Sequence, residues 1–584
     1  MAIFKKLSWF FKQEKKQYGI GITLLVLVAL LQVANPWMMG KLIDEIADQS
    51  ITMNSMVFWL SLMLGSAVGQ YVFRYLWRVN IFGTSVKLEK ILRERLFHHF
   101  TQMDTVFFHQ HRTGDLMAHA TNDLNAVRQV AAAGILTFAD SLTTGGLTLI
   151  SMAVVVDWKL TLLVVLPLPL LILVSRILGT RMHAQFKQAQ KAFSTLNNKT
   201  QESISGVKVI KTFGEEEKDV EHFKTITKEV VDANKKVFKI DALFNPAINL
   251  ILGITFALTI IFGGNFVVTG VISIGQLVSF ISYIGMMTWP MLAVGSLFNV
   301  LERGSASYDR IEQLLSQESS IYEADHPVDQ ALTGDLTVSI QSFTYPGATI
   351  PVVEDLDFTL KQGETLGIVG KTGSGKSTIF KLLLREYDNY QGSIVYNNIA
   401  VKDYMLDTYL KGIGYVPQDN FLFSTTISEN IRFANLDYSM EEVHSVAKMT
   451  AIHSDILDFP QGYETLVGER GVSLSGGQKQ RISIARALIT RPELLIMDDS
   501  LSAVDAKTEE KILSNLKEFR SGKTTIISAH RISSVMHANE IIVMDQGRIV
   551  ERGNHQELLS LNGWYKEMYD KQQLELKLDG EGID

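Results

Sequence analysis

The sequence predicts two halves of different class, an all-α transmembrane domain of six helices followed by an α/β domain built around buried strands. Three observations carry that expectation. Long apolar windows recur from Tyr18 to Val300, and none of that length follows Leu301. An apolar strand, Thr365 to Val369, runs directly into a glycine-rich loop that opens a helix continuing to Leu384. A second apolar strand, Leu494 to Met497, ends in the pair Asp498-Asp499. At 584 residues the chain is too long for one core. The expected division is 1–320 for the membrane domain, 321–335 for a linker, 336–570 for the α/β domain and 571–584 for a polar C-terminal tail.

Composition narrows the function classes. Apolar residues make up 46% of the chain while 20% are charged, which suits a membrane part joined to a soluble part. Net charge is -7, and no basic arm or aromatic-interleaved Lys/Arg stripe is present, so nucleic acid is excluded as a partner. With no Cys, disulfides, thiolate catalysis and Cys-ligated metals are excluded too, which fits a bacterial source.

The six apolar windows fall at Tyr18 to Met39, Met56 to Val79, Ala131 to Val156, Leu160 to Leu178, Ala242 to Val268 and Val271 to Val300. Each approaches or exceeds the roughly 20 residues that cross hydrocarbon. The first lacks a small-residue cleavage site and is read as a retained helix, not a signal peptide. Lys5, Lys6, Lys12, Lys15 and Lys16 stand against a single Glu14 ahead of it, which places the N-terminus in the cytoplasm. Two long links, Asn80 to Val130 and Gly179 to Asp241, share that side. Their apolar residues keep helical spacing, so the crossings are expected to continue inward as two helical hairpins.

Asp140, in the third crossing, is expected to face protein or a water-filled cavity, where it meets a cationic substrate or a local partner. Phe280, Tyr283, Met286, Met287 and Trp289 crowd the sixth crossing, as a soft wall for lipophilic ligands or as ordinary helix packing. Pro167, Pro169, Pro246 and Pro290 are candidate kinks. His98, His99, His109, His111 and His119 lack a metal-ligand pattern and read as solvated surface.

The chemistry begins after the first buried strand. Gly370-Lys371-Thr372-Gly373-Ser374-Gly375-Lys376-Ser377-Thr378 matches the P-loop pattern in its strand-loop-helix context. Glycines let successive N–H groups turn around phosphates, and the helix N-terminus adds partial positive charge. Lys376 then neutralises the outer phosphates of a bound nucleotide, Ser377 ligates Mg2+, and Asp498 holds that ion through water; a P-loop alone leaves kinases, GTPases and motors open. Between the two strands stands Leu474-Ser475-Gly476-Gly477-Gln478, followed by Lys479 and Arg481.

With that LSGGQ run, the chain resembles the ABC transporter family from its first crossing to about Asp570. The resemblance implies that Tyr345 stacks on adenine, that Gln418 touches Mg2+ and the attacking water, and that His530 contacts the γ-phosphate. It also makes Ser502 to Asp505 the D-loop. The membrane half is similar to the exporter branch, in which Thr113-Gly114-Asp115-Leu116 and Phe213-Gly214-Glu215-Glu216 correspond to coupling helices. The second hairpin of such exporters crosses to a partner chain, so a dimer of two half-transporters is implied.

One position departs from the family. Active members carry glutamate after the magnesium aspartate, and here it is Asp499. The carboxylate is drawn back by roughly 1.5 Å, and a misplacement of about 1 Å costs a hundredfold in rate. ATP is expected to bind but hydrolyse slowly at this chain's own site. Leu466 departs as well, in a loop whose family form is TEVGERG. The pattern resembles the aspartate-bearing subunit of bacterial heterodimeric multidrug exporters. It implies a plasma-membrane heterodimer whose partner supplies the catalytic glutamate, while Ser475 and Gly477 complete the competent site. The alternative is a regulatory ATP-binding subunit of a lipid, peptide or chelate transporter.

Overall fold

Six helices among the described residues are long and apolar enough to cross a membrane. They are α1 (Lys15–Ala47), α2 (Met53–Gln102), α3 (Thr113–Val156), α4 (Trp158–Ser205), α5 (Glu216–Val268) and α6 (Ile274–Leu315). The computed structural model describes residues 2–468 and 473–581. Every apolar window lies within, or all but within, one of these helices. The 50 residues of α2 span about 75 Å at 1.5 Å per residue, more than twice the hydrocarbon thickness. Charged residues at helical spacing therefore extend the crossings as expected.

Close packing joins α1 to α6. A Cβ on Gly275 would sit 2.0 Å from the Gly40 carbonyl, so only glycine permits the approach. Four hydrogen bonds follow along the two helices. Asp44 accepts from Ser273 Oγ and from Gly275 N, both at 2.7 Å. Ser279 Oγ donates to the Pro36 carbonyl at 2.7 Å, and the Tyr283 hydroxyl donates to the Val33 carbonyl at 2.9 Å. Pro246 and Pro290 lie inside α5 and α6. Pro167 falls in a turn that interrupts α4 between Val165 and Pro169. The third crossing carries π-turns at His119–Asp123, Val130–Gly134 and Met152–Val156.

The chain divides into two compact units. One unit comprises Met1–Thr101 and Thr113–Gln317, and the other groups Gln102–Arg112 with Glu318–Asp584. Local chemistry explains that grouping. Asp104 caps the short helix Thr105–Gln110 by accepting from Phe107 N at 2.9 Å, and its other oxygen accepts from Ser319 and Ser320. Val106 packs against the core that holds Phe343 and Tyr387. Consequently the first tip is Gln102–Arg112, whereas Thr113 to Leu116 merely opens α3. At the second tip a helix, Val207–Phe213, ends on Gly214 at φ +64°.

Two sheets organise the second unit. The strands are β1 Leu336–Phe343, β2 Val353–Leu360, β3 Thr365–Gly370, β4 Gln391–Tyr396, β5 Ile399–Ala400, β6 Ile413–Val416, β7 Leu494–Asp498, β8 Thr524–Ser528, β9 Glu540–Asp545 and β10 Arg548–Gly553. A six-stranded sheet runs β10-β9-β3-β8-β7-β6, and a four-stranded antiparallel sheet runs β2-β1-β4-β5. Strand β8 lies parallel between β3 and β7, so the glycine loop and the paired aspartates leave the same edge. Leu366, Ile368, Leu494, Ile496, Ile526 and Ile542 are wholly buried, each contributing about 1.5–3 kcal/mol. Helices cover one face, and the P-loop helix with the four-stranded sheet covers the other, which is why these strands read as apolar runs without alternation. The helix Trp564–Glu581 runs across the expected 570/571 border.

Candidate functional site

The P-loop takes its shape from glycine. Gly370, Gly373 and Gly375 hold φ values of +150°, +81° and +101°. A Cβ at Gly370 would stand 2.1 Å from the Met544 carbonyl. Gly375 caps α7 (Lys376–Leu383), aiming the first N–H groups of that helix at the loop. The buried Lys376 ammonium donates to the carbonyls of Gly370 and Lys371 at 2.8 and 3.0 Å. Burial lowers its pKa, opposed by the charges of Asp498 and Asp499. Ser374 Oγ is buried without a hydrogen-bond partner, which fits a phosphate cradle.

Strand β7 delivers the carboxylates. Asp498 is buried, and its Oδ1 accepts from Ser528 Oγ at 2.6 Å. That leaves its second oxygen for a hydrated cation, so the side chain fits the Mg2+ role. Asp499 turns sharply, with φ +45°, a region that costs a non-glycine residue about 1 kcal/mol or more. Its N–H donates to the Ser528 carbonyl at 3.0 Å, with Ser528 Oγ at 3.2 Å. Sequence reasoning missed Ser528, whose only signal is its place at the end of β8 beside β7.

Around this core stand the residues named by resemblance. Tyr345 packs edge-on against Phe343 and Tyr387, shares a 2.9 Å hydrogen bond with Thr378, and has the Lys381 ammonium over its ring at 5.5 Å. Gln418 and His530 occupy exposed loop positions. Lys371 pairs with Asp545 at 3.7 Å, and Thr372 is exposed.

The LSGGQ segment belongs to a different core. Leu474 packs with Ile482 and Leu501, whereas Ile379 and Phe380 of α7 pack in the other cluster. Ser475 caps α8 (Gly476–Ile489) through a reciprocal pair with Gln478. Gln478 Nε2 and Arg481 Nη2 both donate to Asp455, at 3.2 and 2.7 Å. Gln480 Oε1 accepts from Ala503 N at 3.0 Å, and a Cβ on Gly477 would press the Ala503 carbonyl at 2.8 Å. LSGGQ and the SAVD loop thus form one block. Asp505 closes it by capping α9 (Ala506–Phe519). Asp455 and Gln480 went unread in the sequence because nothing local marks them.

The membrane candidates are not gathered into one wall. Phe280, Tyr283 and Met287 are buried in a helix-packing core with Val33, Leu168 and Ile251. Trp289 is 67% exposed, two residues on from Met287 and so on another face. Asp140 is half-buried and accepts from Thr144 Oγ1 at 2.9 Å within its own helix. Leu466 is exposed, and Glu469, Arg470 and Gly471 lie outside the described residues.

Comparison with known proteins agrees with this geometry. Residues 18–291 match the ABC transporter transmembrane region, and residues 353–502 match the ABC transporter domain. A probable multidrug resistance ABC transporter ATP-binding/permease protein of Bacillus subtilis, YheI, is 44% identical, covering 98% of each chain. The multidrug resistance-like ATP-binding protein MdlA of Escherichia coli is also 44% identical, covering 99% of this chain and 98% of its own. The structure of a bacterial Atm1-family ABC exporter with ATP bound superposes with a TM-score of 0.79 at 25% identity, covering 96% and 98%. Six apolar helices joined to a P-loop, LSGGQ and paired-aspartate domain therefore make this chain a member of the ABC exporter family, a multi-pass membrane protein with ATP-driven transport as its activity.

Proposed function

We propose that this chain is one subunit of a two-chain multidrug exporter of the bacterial plasma membrane and that its own ATP site is the slow one. One observation carries the reading. Asp499 stands where a catalytic glutamate is expected, and its backbone is pinned to Ser528 beside the buried Asp498. A shift that would restore the missing reach must break those bonds, each worth about 1 kcal/mol. Relatives named for multidrug resistance support lipophilic or cationic cargo.

ATP sits against the P-loop, with Tyr345 beside adenine and Lys376 leaving its carbonyl partners for the outer phosphates. Ser377, Gln418 and Asp498 would hold Mg2+, which would supply positive charge to neutralise the phosphate oxygens. The partner's LSGGQ closes this site, while Ser475 and Gly477 close the partner's. ATP shifts the pair toward closure only through tighter binding to the closed state. With the ATPase domains cytoplasmic, their closure moves the two hairpins and reorients the membrane cavity.

Turnover of the purified pair tests the reading. Asp499→Glu is expected to add a second working site and raise ATP hydrolysis of the pair by up to about twofold, and Asp499→Asn to leave it close to the parent. Collapse of turnover in Asp499→Asn overturns the slow-site assignment, and full drug-stimulated activity from this chain alone overturns the pairing.

A further inference from the structure

The His530 loop is gripped from two sides. From one side, Arg531 Nη1 donates to Glu509 Oε2 at 3.1 Å and to the Val504 carbonyl at 3.0 Å, and Ser534 Oγ donates to Glu509 Oε1. Glu509 is 2% exposed and lies on α9, directly after the SAVD loop. From the other side comes α10 (Trp564–Glu581). Its Gln572 donates from Nε2 to the His530 carbonyl at 2.9 Å and accepts at Oε1 from Ile532 N at 2.9 Å.

That second grip has a specific geometry. The two backbone groups flank Arg531, whose φ of -93° and ψ of 129° are extended, so the amide of Gln572 pairs with them as a neighbouring strand would. In extended chain, successive side chains leave opposite faces. Arg531 goes to Glu509, and Ile532 is buried at 1%. The backbone angle at residue 531 is thus held by one side-chain amide, and with it the direction in which His530 projects.

We propose that Gln572 is a positioning residue for the ATP site: it holds the His530 loop in the register that lets the imidazole meet the γ-phosphate. This rests on the reading that His530 contacts that phosphate. The amide touches no nucleotide; it acts through His530. Because Val504 lies in the SAVD loop and Glu509 follows it, Arg531 and Ser534 tie the same His530 loop to the segment that lies against LSGGQ.

The prediction is selective, because ADP has no γ-phosphate for the imidazole to meet. In the full chain purified in detergent, Gln572→Ala and the bulk-preserving Gln572→Leu are expected to weaken binding of a fluorescent ATP about tenfold. Binding of the matching ADP should stay within about twofold, and the melting temperature should hold. Exchange of the Ile532 amide should quicken in both variants. Equal weakening of ATP and ADP would reduce Gln572 to a scaffold role and overturn the proposal, as would unchanged ATP binding. His530→Ala separates the two readings. If it spares ATP over ADP preference, the His530 assignment fails; if it abolishes that preference while Gln572→Ala does not, only the brace fails.

Discussion

The tips of the two long helical hairpins end differently. The first, Gln102–Arg112, finds its partners inside its own chain. Asp104 accepts from Phe107, Ser319 and Ser320, Val106 joins a core, His111 stacks on Phe107 at 4.5 Å, and His109 bonds Tyr387 at 3.0 Å. The second tip displays apolar side chains to solvent, with Phe213 at 74% and Val209 at 61% exposure. A phenyl ring left outside forfeits about 1.5–3 kcal/mol that burial would return. The contrast teaches that one tip is satisfied by contacts within its own chain while the other leaves apolar side chains exposed, as the proposed pairing with a second subunit requires.

The largest effect that sharpens this contrast is expected at the bare tip. Phe213→Asp removes an apolar anchor and puts a carboxylate where a partner surface would have to desolvate it. Drug-stimulated ATP hydrolysis by the assembled exporter should fall at least about tenfold, in line with the lost burial. The melting temperature of the single chain should not move, since the side chain touches little within it. A variant with unimpaired stimulation would break the comparison, because the second tip would then need no partner.

A smaller, opposite effect is expected at the tip already seated. Asp104→Ala leaves the Phe107 N–H, Ser319 and Ser320 without their acceptor, a loss of about 1–3 kcal/mol, so the single chain itself should melt earlier. The effect depends on pH with a definite sign. Burial alone would raise the Asp104 pKa, but hydrogen bonds from Ser320, Phe107 and Ser319 outweigh it, and the pKa lies below its ordinary value. Its contribution is therefore full above the unfolded value, about pH 4, and is lost as pH falls through the lowered folded value. The melting gap between parent and Asp104→Asn should stay constant from neutral pH to about 5 and shrink below about 4. A gap that widens in acid would show that the carboxylate is not charged in its cap.

How much of this was legible in the sequence follows from the range of each interaction. The P-loop, LSGGQ and Asp498-Asp499 are local patterns that recur because backbone around phosphate demands glycine at fixed spacing, and they were readable. The six crossings were readable because hydrocarbon imposes length and apolarity. From sequence, the first tip falls at Thr113 to Leu116, whereas the residues grouped with the second unit are Gln102–Arg112, because that grouping rests on contacts more than 200 residues apart, as between Asp104 and Ser319. Histidines read as solvated surface proved partnered: His109 meets Tyr387, and His119 Nδ1 lies 2.6 Å from Asp123. Gln572 sat in what looked like a polar tail, and nothing in its neighbours announces a hydrogen bond to residue 530.

The smallest effect isolates one contact of the seated tip. Tyr387 is buried and packs against Phe343 and Tyr345, so its ring position does not depend on the hydroxyl. Burial, with Tyr345, Glu386 and Asp104 adding to it, pushes the phenol up to about 12, and it keeps its proton near neutral pH. Tyr387→Phe therefore deletes the bond to His109 with the packing preserved, a change of about 0.5–1.5 kcal/mol. Local opening of the Thr105–Gln110 helix should become roughly 2- to 10-fold more frequent, read as faster hydrogen exchange at its amides and at His111. Exchange at the second tip should not change. If both tips quicken together, the hydroxyl supports the whole domain and the first tip is not an independently seated element.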